Sequence, residues 1–437
     1  MTQLFSTPRL RPLVLLMALG LAGAAQAQSL VDLYAAARDF DATYQSAKAQ
    51  NEANMYKADQ AMVAFIPRVG VNASWNAGLA TADRGFNNNA VTLDASQALY
   101  RPADDLTYAQ SRKSVEQAAS ALQSAEQDLV MRLSQAYFDV LASTDSLEFV
   151  KAQKVAVQEQ LAAAKRNFEV GTSTITDARE AQARFDLVLA QEIAAENDLR
   201  VKTLALAQLV GKTEVKPLPV APGFSLSEFS PADMNEWLTI GQTEHPSIRQ
   251  LNLALEVARL ETQKANVASM PTVDLVARYQ TTTNNGSVAS SQFAGTNAYT
   301  VGFSVNMPLF ASYAIQTRVK ETLSLEDKAR SDLDAAQRNV AQSTRAAFMG
   351  VDSALGQVRA YEAAAVSSQS ALDANKLGYQ VGVRINIDVL NSQSQLYDTK
   401  AKLSKSRYDV LMGNLKLRQA SGILKPADLQ AINALLR

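Results

Sequence analysis

The sequence predicts a mainly α-helical chain of long coiled-coil helices that also carries four membrane-type β-strands, built by internal duplication. Three observations predict it. Glycine and proline are missing from unusually long stretches. Apolar residues recur by threes, fours and sevens through those stretches but by twos in two short regions. The second half repeats the landmarks of the first at a nearly constant offset.

The first residues read as an address. Arg9 and Arg11 precede an apolar run from Leu13 to Ala22, and Ala25-Gln26-Ala27 forms an A-x-A site with cleavage expected after Ala27. The run falls short of the roughly 20 apolar residues that span a bilayer. An uncleaved anchor is the alternative. Without a cysteine after the cleavage site, no N-terminal lipid anchor is expected. The reading divides the chain into a signal peptide (1–27), a first repeat (28–212), a connecting segment (213–238), a second repeat (239–422) and a C-terminal tail (423–437).

Between Ser29 and Ile66, between Pro102 and Gly171, and between Gly171 and Gly211 there is no glycine or proline. The second half repeats this from Ser247 to Met270. Only Gly350 and Gly356 interrupt Pro308 to Gly378, and only Gly413 interrupts Val383 to Ser421. Rich in Ala, Gln, Leu, Lys, Glu and Arg, these stretches favour helix. Ala103 to Phe168 alone would form a rod of about 100 Å at 1.5 Å rise per residue. Val115, Ala118, Leu122, Ala125, Leu129, Leu133, Ala136 and Val140 step by threes and fours. Val389, Leu396, Leu403, Val410 and Leu417 recur every seventh residue, the spacing that supercoils neighbouring helices. Tyr137, Phe138 and Phe149 at helical spacing read as packing. Trp237 reads as packed in the connecting segment, and His245-Pro246, aligned with Asp41-Ala42, as a helix start.

The two period-two regions read as hairpins. Val69, Val71, Ala73, Trp75, Ala77 and Leu79 alternate with polar residues, as do Val91, Leu93 and Ala95. Val273, Leu275, Ala277 and Tyr279 do the same, followed by Tyr299, Val301, Phe303, Val305 and Met307. Strands of about ten residues with strict alternation suit a transmembrane β-barrel, with Trp75 in its aromatic belt. The connections, Ala80 to Ala90 and Thr283 to Ala298, read as exposed polar tips. Two ordinary hairpins at the end of a helical rod would show the same alternation. If the strands do span a membrane, four cannot close a barrel, since bacterial barrels have at least about eight. A dimer supplies eight and a trimer twelve.

The duplication is explicit. Phe168-Glu169-Val170-Gly171 matches Tyr379-Gln380-Val381-Gly382, and Ile175-Thr176-Asp177 matches Asn386-Ile387-Asp388. Ile66-Pro67 matches Met270-Pro271, and Leu99-Tyr100 matches Leu309-Phe310. The offset grows from 204 to 210 across the hairpin, so the second hairpin is about six residues longer at its tip. Each half reads as medium helix, hairpin, very long helix, V-G turn and medium helix.

On these pieces, above all V-G-T-S-T-I-T-D (Val170 to Asp177) and G-Y-Q-V-G-V-R-I-N-I-D-V-L (Gly378 to Leu390), the chain resembles the TolC family, the trimeric outer-membrane efflux and type I secretion ducts of bacteria. The resemblance implies a homotrimer whose twelve strands form one barrel in outer-membrane lipid, above an α-helical tunnel in the periplasm. Thr213 to Trp237 and the tail would form a belt around the tunnel. The implied partners are a periplasmic adaptor and an inner-membrane ABC or proton-driven transporter. The missing lipidated cysteine resembles the type I secretion branch. The resemblance further implies a periplasmic latch in which Tyr379 and Arg384 meet Thr176 and Asp177. Val170, Gly171, Val381 and Gly382 would form the tip turns where the adaptor docks. Asp388 and Asn391 would line the entrance constriction. Asn391 stands where the family pattern has a second aspartate, so a trimer would carry three carboxylates there rather than six.

Composition excludes other classes. Without the signal peptide, 40 basic residues face 43 acidic ones, which opposes nucleic-acid binding. With no cysteine and one histidine, thiolate sites, disulfides and histidine-based triads are poor expectations, and no cofactor is expected. A secreted enzyme is therefore disfavoured. A structural coiled-coil surface protein or adhesin would explain the heptads but not the matched hairpins and V-G turns.

Overall fold

A computed structural model describes residues 28–80, 84–221, 231–285, 295–309 and 313–436. The signal segment, Phe310 and parts of both hairpin tips lie outside the described residues. The elements run α1 (Leu30–Phe40), α2 (Ala42–Met62), β1 (Arg68–Ala80), β2 (Arg84–Tyr100), α3 (Pro102–Glu169) and α4 (Ile175–Val210). The second half follows with α5 (Met234–Glu244), α6 (Pro246–Asn266), β3 (Thr272–Asn285), β4 (Gly295–Asn306), α7 (Ala314–Gln380) and α8 (Asn386–Ala420), then α9 (Asp428–Asn433). The first three elements, α1, α2 and β1, recur 204 residues later as α5, α6 and β3, and α4 recurs as α8 after 211, as the repeat arithmetic requires. Since α5 is the counterpart of α1, the helical part of the second repeat starts at Met234, ahead of the expected boundary at 239.

The two long helices span 68 and 67 residues, and each folds back on the helix after it. One expected medium helix per half is in fact two. Asp41 adopts an extended backbone, and its carboxylate caps α2 by accepting from the Tyr44 N–H at 2.8 Å. In the second half His245 does the same, its Nδ1 accepting from the Ser247 N–H at 3.1 Å. Burial holds the imidazole below its ordinary pKa, and the neutral ring is the form that can accept there. Both caps confirm the helix starts that the alignment of Asp41 with His245 suggested. The capping side chain makes the break, with no glycine needed.

The strands form one antiparallel sheet in the order β1-β2-β3-β4. They are longer than expected because the ladder continues through Asn87, Asn88 and Asn89, where alternation stops but backbone pairing does not. Likewise β4 begins at Gly295 rather than at Tyr299. Register keeps the faces apart. Val71, Leu93, Tyr279 and Tyr299 lie in one row across all four strands, and Gly70, Asp94, Arg278 and Thr300 in the next. On the polar face Arg278 donates to Asp94 at 2.6 Å, and Asn72 donates to Asp94 at 3.0 Å. The apolar face stays open, with Tyr299 79% and Trp75 75% exposed. Among the described residues both outer strands present unpaired edges. Arg101 clamps the junction of sheet and helix, donating twice to the Asp274 carboxylate at 2.7 Å.

The densest core lies at mid-height. There α1, the middle of α3, α9 and the end of α8 bury Leu33, Leu133, Tyr137, Phe138, Leu415 and Leu429. The connecting segment and tail lie against this core: Val220 pairs with Leu436, and Gln28 with Pro217. Tyr137 donates to the Leu218 carbonyl at 2.8 Å. Trp237 is buried, but on α5, packed with Val351 and Leu417. Among the described residues no helix is long and apolar enough to cross a membrane.

Two predictions follow from the packing at mid-height. Arg132 donates to both Asp41 oxygens, at 2.8 and 2.9 Å, and holds that carboxyl below the usual carboxylate range. Asp41→Ala should therefore cost about 1–3 kcal/mol in denaturant unfolding, a lost cap plus a lost charged hydrogen bond. Because the folded pKa is depressed, this stability is present above the ordinary value of 3.8 and is lost as pH falls through the folded value. The variant should lack that acid limb. At Gly422, φ is +77° and an added Cβ would lie 2.4 Å from the His245 Cα. Gly422→Ala should block assembly of heat-resistant oligomers. Gly171→Ala, with open space around it, should carry only the backbone strain, about 1–2 kcal/mol.

Candidate gating site

Both long helices end in the same turn, at the end of the molecule farthest from the sheet. The Val170 N–H bonds the Arg166 carbonyl, and Gly171 at φ +77° reverses the chain. The second turn repeats this with Val381, the Leu377 carbonyl and Gly382 at φ +79°. Only glycine takes this left-handed backbone without a Cβ clash. Around the turns an apolar rim lies open: Val170, Val381, Val383 and Ile385 are all exposed.

The helices that leave the turns start differently. Thr174 caps α4 in a capping box with Asp177, each side chain bonded to the other's backbone N–H. The Ser173 hydroxyl donates to the same carboxylate at 2.7 Å. That bond first, then the Thr174 N–H and hydroxyl, holds Asp177 below the usual carboxylate range. All three donors use Oδ2, and Oδ1 takes none among the described residues. In the second turn the equivalent positions are Arg384 and Ile385, which supply no capping hydroxyl. Asp388 is therefore not drawn into a box, and it faces Arg384 at 3.7 Å.

The expected latch residues Asp177, Tyr379 and Arg384 line one cleft at the tip, while Thr176 points to solvent beside it. Among the described residues, neither Tyr379 nor Arg384 bonds Thr176 or Asp177 within the chain. Tyr379 instead accepts from Asn167 at 3.3 Å. Arg384 lies across Gly378, where an added Cβ would sit 2.6 Å from the Arg384 Cγ. Farther along α8, Asn391 is exposed and accepts from Arg184 of α4 at 2.8 Å.

Sequence reasoning gave no site role to Asn167, Gly378, Arg184, Gln160 or Asn386. Asn386 is completely buried, accepts from Gln160 of α3, and donates to the Asp177 carbonyl at 3.4 Å. A signal for it existed in the repeat alignment, where the polar Asn386 stands opposite the apolar Ile175. Arg184, Asn167 and Gln160 had no such signal, because their partners lie more than 200 residues away.

The chain matches the outer membrane efflux protein family over residues 33–212 and 240–423, one match to each repeat. It is 33% identical over 433 residues to the outer membrane protein TolC of Vibrio cholerae, covering 98% of this chain and 99% of that protein. It is 30% identical over 431 residues to the alkaline protease secretion protein AprF of Pseudomonas aeruginosa, covering 93% and 87%. Among solved structures it resembles the outer membrane protein VceC of Vibrio cholerae at a TM-score of 0.77 and 16% identity, covering 90% and 96%. It also resembles the open MtrE channel of Neisseria gonorrhoeae at a TM-score of 0.76 and 17% identity, covering 91% and 90%. With both repeats, the shared sheet and the paired V-G turns accounted for, the chain belongs to the outer membrane efflux protein family.

Proposed function

We propose that three copies of this chain form a passive exit duct in the outer membrane, opened at its periplasmic tip by an adaptor and an inner-membrane pump. The observation that carries this is the sheet. Its apolar face suits lipid, its opposite face is polar, and its two open edges demand closure by other copies. Twelve strands make a barrel, and helices of about 100 Å continue it through the periplasm. Such a duct selects and releases cargo without covalent chemistry. Similarity to a protease secretion protein favours protein export as one use. The exposed apolar rim at Val170, Val381 and Val383 suits an adaptor tip.

In this reading the tip rests closed. Tyr379 holds the first hairpin through Asn167. Arg384, exposed and only 3.7 Å from Asp388, is free to reach the open Oδ1 of Asp177 and the Thr176 hydroxyl of a neighbouring copy. Exposed charge pairs contribute about 0–1 kcal/mol each, weak enough for a partner to release. Wild type should show small conductance in planar bilayers, rising sharply in Tyr379→Phe combined with Arg384→Ala. Large conductance in both would keep the duct and discard the latch. No conductance in either, with inserted trimers verified, would overturn the duct.

The ring of Asp388 carboxylates should favour cations. Asn391→Asp should strengthen that preference only partly, because Arg184 lies within hydrogen-bonding distance of the new charge. Asn391→Asp with Arg184→Ala should show the full shift in reversal potential and stronger block by trivalent cations. An unchanged reversal potential in the double variant would remove Asn391 from the constriction.

A further inference from the structure

The two tip turns are duplicates that use their polar residues differently. Thr174-Ile175 of the first stands opposite Ile385-Asn386 of the second, so polar and apolar positions are exchanged. Thr174 caps its own helix and Ile175 lies exposed. Ile385 leaves α8 uncapped and Asn386 turns inward, fully buried. The first hairpin is thus closed on itself, while the second spends its amide on the first.

We infer that Asn386 and Gln160 form a gate pin, separate from Tyr379 and Arg384, that holds the start of α8 against the first hairpin in the resting duct. The inference rests on the duct reading above. Asn386 uses both ends of its amide: the oxygen accepts from Gln160 of α3, and the nitrogen donates to the Asp177 carbonyl of α4. An apolar cluster adjoins it on the same helix. Leu390 and Ile387 of α8 pack with Val157, Leu161 and Ala181 of the first hairpin. An apolar contact of this kind tolerates sliding, whereas a buried amide pair has one register and loses its partners when the helices shift. In the open tip both amides meet water and are satisfied again. The pin therefore opposes the first displacement of α8 and does not oppose the open state. Asn386 is a positioning residue: it touches no cargo and acts by fixing α8, which carries Asp388 and Asn391.

Planar-bilayer conductance of detergent-purified trimers tests this, with heat-resistant oligomers confirming assembly of every variant. Asn386→Leu, similar in volume and without the amide, should raise conductance several-fold over wild type. Gln160→Leu should do the same, and the two together should add little, since they break one link. Exchanging the pair as Gln160→Asn with Asn386→Gln keeps the combined reach and should restore low conductance. Adding Tyr379→Phe and Arg384→Ala to Asn386→Leu should open the duct beyond either set alone. Wild-type conductance in both single variants, while the Tyr379 and Arg384 variant opens, would overturn the pin and leave the gate intact. A purely structural role would lower the melting temperature of the trimer without raising conductance, and would also overturn it. Closed bilayers with every variant, insertion verified, would instead overturn the duct reading.

Discussion

A strand edge cannot be left unpaired in hydrocarbon, because each free N–H and C=O there costs several kcal/mol. This chain makes four strands with one apolar face, and its β1 and β4 end in open edges. Everything below the sheet conforms to that constraint. Copies must stand side by side, so the helices leaving the strands must run as a wall rather than collapse into a closed bundle. The burial pattern agrees. Among the described residues the largest hydrophobic cluster lies in the belt at mid-height and the others are smaller, while long stretches of α7 keep one side open. Alanine and serine along the seams let neighbouring helices approach closely. The Arg101–Asp274 clamp ties the two hairpins together where strand gives way to helix.

Duplication set the plan, and divergence of the two repeats set the function. At mid-height, equivalent helix starts are capped by Asp41 and by His245, but only Asp41 gains an arginine from α3. At the tip, equivalent aspartates occupy the third position of α4 and of α8. Ser173 and Thr174 immobilise the first, whereas Arg384 and Ile385 release the second. Ile385 in place of Thr174 removes the cap from α8, and Arg384 in place of Ser173 puts a cation beside Asp388. Gly378 leaves room for that cation where the first repeat has Asn167.

The tip is held by few, modest polar links set beside an apolar cluster, as the proposed reversible closure needs. Mid-height is held by burial of large side chains and by bidentate charge pairing, which suits a permanent fastening. Burial is therefore uneven along the molecule, greatest at the belt and least at the turns.

The sequence by itself determined the duplication, the four strands, the long helices, the V-G turns and the start of α6 at His245-Pro246. These features are local, written in period, in breakers and in caps, each decided within a few residues. It did not determine where β2 begins, because backbone pairing runs on through Asn87 to Asn89 after side-chain alternation has ended. Nor did it show that α1 and α2 are separate helices until the Asp41 cap was seen. At the tip it identified Tyr379, Arg384, Asp177 and Asp388 by motif but not their partners. Asp177 and Asp388 find partners within four residues, but the long-range polar pairs of the tip were decided by the tertiary structure alone. The bonds of Asn167 to Tyr379, Gln160 to Asn386 and Arg184 to Asn391 join residues more than 200 positions apart. Such pairs exist only once two hairpins from different repeats lie side by side, and no periodicity within either hairpin encodes which polar side chains will then face one another.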